Sequence, residues 1–155
     1  MTMLQYGVKP LYNTFSLGGR VFLNRFNFSS GYLGDLAFTD AETVPDWAQS
    51  CVSQAVSAGL VEGFPENTLR PNQSVSRLEL VTLIVRASQI AVDPKDEPSF
   101  SDADKIPSWG APYVAAAAKA GLIQGRDNNE FELMATATRA ESATMILSLL
   151  KHLKL

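Results

Sequence analysis

Phe38-Thr39-Asp40-Ala41-Glu42-Thr43-Val44-Pro45-Asp46-Trp47 returns sixty-two residues later as Phe100-Ser101-Asp102-Ala103-Asp104-Lys105-Ile106-Pro107-Ser108-Trp109, without a gap. The match runs on: 16 of the 51 positions from 38 to 88 are identical to their partners from 100 to 150. Among them Gly59, Gly63, Arg77 and Glu79 recur as Gly121, Gly125, Arg139 and Glu141. A repeat of this length is one supersecondary unit used twice. Each copy buries an apolar face it cannot bury alone, so a functional surface is expected between the copies.

Within each copy the local signals agree. Pro45 and Pro107 suit the first turn of a helix, where a missing amide hydrogen costs nothing. About three helical turns follow, with Trp47, Cys51 and Ala55 on one stripe and Trp109, Tyr113 and Ala117 on its counterpart. Gly59 and Gly121 stand where a left-handed residue ends that helix. Turn formers then fill an irregular stretch, Leu60 to Val75 and Leu122 to Ala137, expected as a surface loop. Ser76 and Thr138 open a second helix, and Glu79 and Glu141 follow at the spacing of a capping box, hydroxyl to inner amide and carboxylate back to the cap's amide. Leu80, Val81, Ile84 and Val85, and in the second copy Ala143, Ile146, Leu147 and Leu150, give these helices an apolar stripe.

At 155 residues the chain fits one domain with a core that needs no staples. A net charge of -3 argues against nucleic acid as the partner, because phosphate binding needs a basic patch. Cys51 stands alone, which leaves no intramolecular disulfide and no thiolate metal cluster, and reads as a small residue on a helix face. No apolar run approaches the roughly 18 residues that cross a bilayer, so no membrane insertion is expected. Met1 to Phe15 lacks the pattern of a secretory signal. The protein is therefore expected either to stay inside the cell or to be a piece of a longer secreted chain.

Residues 1–37 differ from the repeats: they hold seven of the fourteen aromatics and five of the ten glycines, with Asp35 as the single acid. Alternation from Thr14 to Phe28 reads as a hairpin. A second reading aligns Val8-Lys9-Pro10 with Leu69-Arg70-Pro71 and makes Leu17 to Phe26 a decayed copy of a helix. Gly18 and Gly19 would weaken that helix by roughly 1 kcal/mol each.

Arg77 and Arg139 carry the most weight among candidate functional residues. A cation in the first helical turn opposes the macrodipole, at about 0.3 to 1 kcal/mol, and here it occurs twice. One reading is an anion pocket, guanidinium beside unpaired helix-tip amides, that takes a carboxylate or phosphate. The other is an internal salt bridge to Asp40, Asp102 or a neighbouring acid that packs the copies together. Trp47 and Trp109 divide likewise between core anchors and the aromatic wall of a sugar slot beside a backbone-exposing glycine. Asp40 and Asp102 are expected to satisfy backbone amides in a turn. His152 is the single histidine and reads as a helix-end residue; no protease, phosphate-loop or nucleophile-elbow pattern appears, so no catalytic residue, metal site or cofactor is expected. Paired acids keep a glycosidase as a distant alternative, though nothing in their spacing selects for it.

Phe100-Ser101-Asp102, Trp109, Gly121-Leu122-Ile123-Gln124-Gly125 and Thr138-Arg139-Ala140-Glu141, with their counterparts in the first copy, resemble the surface-layer homology (SLH) repeat over residues 38–88 and 100–150. The resemblance implies a mainly α fold, helix-loop-helix repeats packed as a pseudo-threefold spindle with grooves between neighbours. It also implies a non-catalytic module that tethers a bacterial surface protein to secondary cell-wall polysaccharide, often one bearing pyruvate ketals and hence a carboxylate. By that pattern Arg77 and Arg139 bind the acid, Trp47 and Trp109 wall the slot, Gly63 and Gly125 admit the ligand, and Ser76, Glu79, Thr138 and Glu141 are caps.

This sequence departs from the pattern in places. Phe131-Glu132-Leu133 lacks the loop proline, Ser76 and Leu78 replace Thr and Ala, and Arg126 stands where an aromatic often follows the glycine. Only two full repeats are present, so residues 1–37, a second chain in a homo-oligomer, or nothing fills the third place. An interaction scaffold that keeps the fold without glycan binding, with residues 1–37 and Phe22 or Phe26 touching a partner, is the alternative function.

Overall fold

The computed structural model describes residues 36–154, and the hairpin, decayed-repeat and partner-contact expectations for residues 1–35 lie outside them. Four helices make up the two copies: α1 (Asp46–Ser57) and α2 (Arg77–Ser88) in the first, α3 (Ala111–Lys119) and α4 (Arg139–His152) in the second. Among the described residues there is no strand, only an isolated antiparallel bridge between Ser76 and Thr136, so the fold is mainly α as expected.

Each first helix stops as the glycines dictate. Gly59 and Gly121 both adopt φ 69°, and the amide after each reaches back to the last turn, Leu60 to the Ala55 carbonyl and Leu122 to the Ala117 carbonyl, each at 2.9 Å. That is the Schellman closure, which satisfies otherwise orphaned carbonyls. The starts differ from expectation. Pro45 lies just before α1 with extended ψ 142°, and α3 begins only at Ala111, leaving Trp109 ahead of the helix. Pro112 accounts for the delay: lacking an amide hydrogen, it cannot bond the Ser108 carbonyl, as Ser50 in α1 can bond that of Asp46.

The loops are pinned by the aspartates, over a far longer span than a local turn. Asp40 accepts from the amides of Leu69 and Arg70, each at 2.7 Å, and Asp102 from those of Phe131 and Glu132, at 2.7 and 2.9 Å. The Leu69 amide above all holds the Asp40 carboxyl below its ordinary value. For Asp102, burial alone would raise it, and the Phe131 and Glu132 amides outweigh burial. Asn67 and Asn129 add a second tie, their side-chain amides donating to the carbonyls of Ala37 and Ser99 at 2.7 and 2.9 Å. Each loop is thereby fastened to the front of its own repeat.

α2 is the centre of the core, packed against both α3 and α4. Leu78, Val81, Ile84 and Val85 close on Val114, Ala117, Leu122, Phe131 and Met145. The same stripe on α4 has no such cover among the described residues. Ile84 and Val85 are each 1% exposed, whereas their register partners Ile146 and Leu147 are 49% and 52% exposed.

Candidate functional site

The two copies meet at a joint led by Arg77. Its side chain is only 3% exposed. Nη1 donates to Glu141 Oε1 at 2.8 Å, Nη2 donates to the Gln124 carbonyl at 2.6 Å, and the guanidinium lies 5.4 Å from the Phe131 ring centroid. Arg126 holds the same carboxylate, Nε to Oε1 at 2.6 Å and Nη2 to Oε2 at 2.8 Å, and also pairs with Glu132. Those two acids, Glu141 foremost, push the Arg126 guanidinium up. Burial pulls the Arg77 guanidinium down while Glu141 resists, and an arginine stays charged at working pH.

Glu141 does two jobs at once. Oε2 accepts from the Thr138 amide at 2.9 Å while Thr138 accepts from the Glu141 amide, so the capping box of α4 is complete. The matching box of α2, Ser76 with Glu79, is complete as well. The Arg126 hydrogen bonds first, against the effect of burial, and then the Thr138 amide hold the Glu141 carboxyl down to about 2.

This joint corrects two expectations. Arg77 is not open to a carboxylate ligand: its Nη donors are committed inside the protein, and its Nε is buried with no hydrogen-bond partner among the described residues. The α2 tip is filled too, since the amides of Arg77 and Leu78 donate to the carbonyls of Ala135 and Leu133, at 2.9 and 3.3 Å. The internal-salt-bridge reading holds for Arg77, with the cap acid of the other copy as its partner. Arg139 differs: it is exposed, and its guanidinium has no hydrogen bond or ion pair among the described residues.

The glycines are spent in the same way. A Cβ on Gly63 would sit 2.3 Å from Phe38 Cε1 and 2.9 Å from the Thr68 carbonyl oxygen, and one on Gly125 would sit 2.9 Å from Asn129 Oδ1. It is the chain's own Phe38, Thr68 and Asn129 that approach these backbones.

A groove of about 370 Å³ opens between the copies, within the size range of ligand clefts. Trp109, Met134, Leu133 and Pro107 from the second copy face Phe64 and Leu78 from the first. Gln73, Ser74, Ser76, Glu79 and Thr136 supply the polar groups. Of the residues expected to bind ligand, Trp109 lines this groove and Trp47, Gly63, Arg77, Gly125 and Arg139 do not. Neither Trp is a core anchor: Trp109 is 46% and Trp47 85% exposed. The sequence reading missed the hydroxyls, and the register carried a signal for them, because Ser74 and Thr136 occupy equivalent positions and meet from opposite copies. Ser76 and Glu79, read as caps alone, turn out to line the groove too.

Comparison with known proteins falls on both copies. The S-layer homology domain model matches residues 37–81 and 99–143. The chain is 37% identical over 118 residues to an amylopullulanase of Thermoanaerobacterium thermosulfurigenes, covering 74% of this chain and 6% of that protein. It is 38% identical over 110 residues to exoglucanase XynX of Acetivibrio thermocellus, covering 68% of this chain and 10% of that protein. With S-layer protein EA1 of Bacillus anthracis it shares 31% identity over 102 residues, covering 66% of this chain and 12% of that protein. The chain thus spans about a tenth of the length of these relatives.

Proposed function

Because this chain belongs to the S-layer homology family, we propose that it is a non-catalytic module anchoring a protein to the bacterial cell wall, with secondary cell-wall polysaccharide held in the groove between its repeats. The groove itself carries the reading. An exposed indole beside convergent hydroxyl, amide and carboxylate groups suits a sugar, whose apolar face stacks while its hydroxyls bond. The polymer is acidic and pyruvylated, as the family resemblance implies, and Arg139 is the member of the arginine pair left open to its carboxylate. Trp47, exposed at the start of α1, offers a further stacking surface. The setting is the cell surface, and no described helix is long and apolar enough to cross a membrane. The catalytic names among the relatives belong to proteins of which this chain matches a tenth or less.

Binding to purified cell walls tests the proposal. Trp109→Ala is expected to weaken retention about tenfold, the equivalent of roughly 1.4 kcal/mol, with no change in helix content by circular dichroism. Retention equal to wild type would remove the groove from the account.

A second reading, association through the fold, rests on the uncovered α4 face. Arg139, Ala140 and Ala143 are exposed together with Ile146 and Leu147, while their α2 counterparts are buried in the joint. Glu79 Oε1 has no hydrogen-bond partner among the described residues, whereas the equivalent Glu141 Oε1 receives Arg77. A homo-oligomer that pairs Arg139 with Glu79 of a second copy would fill both. Sedimentation velocity decides: concentration-dependent association abolished by Arg139→Glu supports this reading, and a monomer throughout rejects it.

A further inference from the structure

We infer that Arg126, through its ion pair with Glu132, is the positioning residue for one wall of the groove, holding Leu133, Met134 and Thr136 against Trp109, and that glycan affinity depends on it. The inference rests on the glycan reading of this groove and adds how its wall is held.

The repeat register points to the pair. Positions 64 and 70 of the first copy correspond to 126 and 132 of the second. In both copies the two side chains meet, by different chemistry: the Arg70 guanidinium lies 4.1 Å from the Phe64 ring centroid, and Arg126 forms an ion pair with Glu132. The backbone beneath them is the same. Arg70 has φ 54° and Glu132 φ 55°, a left-handed conformation that costs a residue other than glycine about 1–3 kcal/mol. The amide of each donates to the aspartate of its own copy, Arg70 to Asp40 at 2.7 Å and Glu132 to Asp102 at 2.9 Å. A contact made in both copies at the same strained residue, once as cation over ring and once as cation against carboxylate, is a fastening of that residue.

In the second copy the fastening acts on the groove. Glu132 begins a turn that the Ala135 amide closes on the Glu132 carbonyl at 3.0 Å, and this turn carries Leu133 and Met134 into the groove wall. The first copy grips the same strip: the amides of Leu78 and Arg77 donate to the carbonyls of Leu133 and Ala135, and Ser76 bridges to Thr136. Leu133 stands where the first copy has Pro71. Proline fixes its own φ at about −65°, and leucine does not, so the side-chain pair one residue earlier supplies the restraint instead. Arg126 also holds Glu141, the acid that receives Arg77, which ties this wall to the joint between the copies as well as to its own loop.

Glu132→Gln isolates the pair, because Arg126 keeps both of its bonds to Glu141. The full chain is read in two ways: retention on purified bacterial cell walls, and the Met134 methyl and Trp109 indole N–H resonances, assigned with Met134→Leu and Trp109→Phe. Glu132→Gln is expected to move both resonances in the free chain and to weaken retention about threefold, inside the roughly fivefold that an exposed ion pair can transmit. Arg126→Phe alone should weaken retention as well, and Arg126→Phe with Glu132→Arg, which transplants the first copy's pair, should bring it back to within about twofold of wild type. A Glu132→Gln chain that loses stability in urea but keeps wild-type retention, or leaves the two resonances unmoved, would reduce the pair to a structural contact, and the inference fails with the anchoring function intact. Should the wild-type chain itself not be retained on the walls, the glycan reading fails and this inference with it.

Discussion

Replacing Glu141 with Gln is expected to destabilise the fold by roughly 3–5 kcal/mol, the cost of leaving a buried charge without its partner. Arg77 is the buried charge, and Glu141 is the acid bonded to it. The same substitution weakens the grip of Arg126 and removes a charge from the α4 capping box. Glu79→Gln provides the control, since Glu79 caps α2 in the same way but pairs with no arginine among the described residues; its loss should be about 1 kcal/mol. Urea denaturation of the full chain measures both. Equal costs would show that capping, not the joint, carries the stability. A double-mutant cycle with Arg77→Met should recover part of the loss, because removing both charges removes the penalty.

Acid titration supplies an independent check on the same carboxylate. Its folded pKa, about 2, lies below the ordinary glutamate value of 4.5. A lowered carboxyl contributes stability that is complete above its unfolded value and disappears as pH falls through its folded one. Wild-type stability should therefore fall between about pH 4.5 and pH 2, and Glu141→Gln should flatten that fall. An unchanged slope in the variant would assign the acid sensitivity to other groups, Asp102 first among them.

Phe131→Ala should cost the fold about 3–5 kcal/mol, as truncating a buried aromatic does. The ring is fully buried, sits 5.6 Å from Phe100 between centroids, and lies beneath the Arg77 guanidinium. Removing it opens a cavity under a charge that is already short of one hydrogen-bond partner. The register partner Leu69 is half-buried, and Leu69→Ala should cost about 1–2 kcal/mol. Chemical denaturation of the two variants would expose an error here if the leucine proved as costly as the phenylalanine.

Much of the fold was legible because it depends on chemistry local to a few residues. The capping boxes at Ser76 and Thr138 and the helix ends at Gly59 and Gly121 follow from side-chain reach and backbone freedom within one turn. The start of α3 was misread because Pro107 drew attention from Pro112, whose missing hydrogen decides where the helical bonds begin. The candidate site was less legible. Whether Arg77 faced a ligand or the protein depended on where Glu141 lies in space, 64 residues away in sequence. Gly63 and Gly125 signalled a close approach correctly, but no local pattern says whether the approaching atoms belong to a ligand or to Phe38 and Asn129. For Trp109 the sequence left core anchor and groove wall both open, and the Ser74, Thr136 and Glu79 side of the groove needed two copies brought face to face.

The joint also has a direction. One copy contributes the plug, Arg77, and the next contributes the socket, Glu141 with the Gln124 carbonyl. Since each copy bears its own plug and its own acid, a duplicated segment spliced in line would arrive with both halves of a new junction ready. Lengthening such a tandem by duplication then requires no compensating change in its interior. Among the described residues, Arg139 and Glu79 are the plug and the acid left without a charged partner.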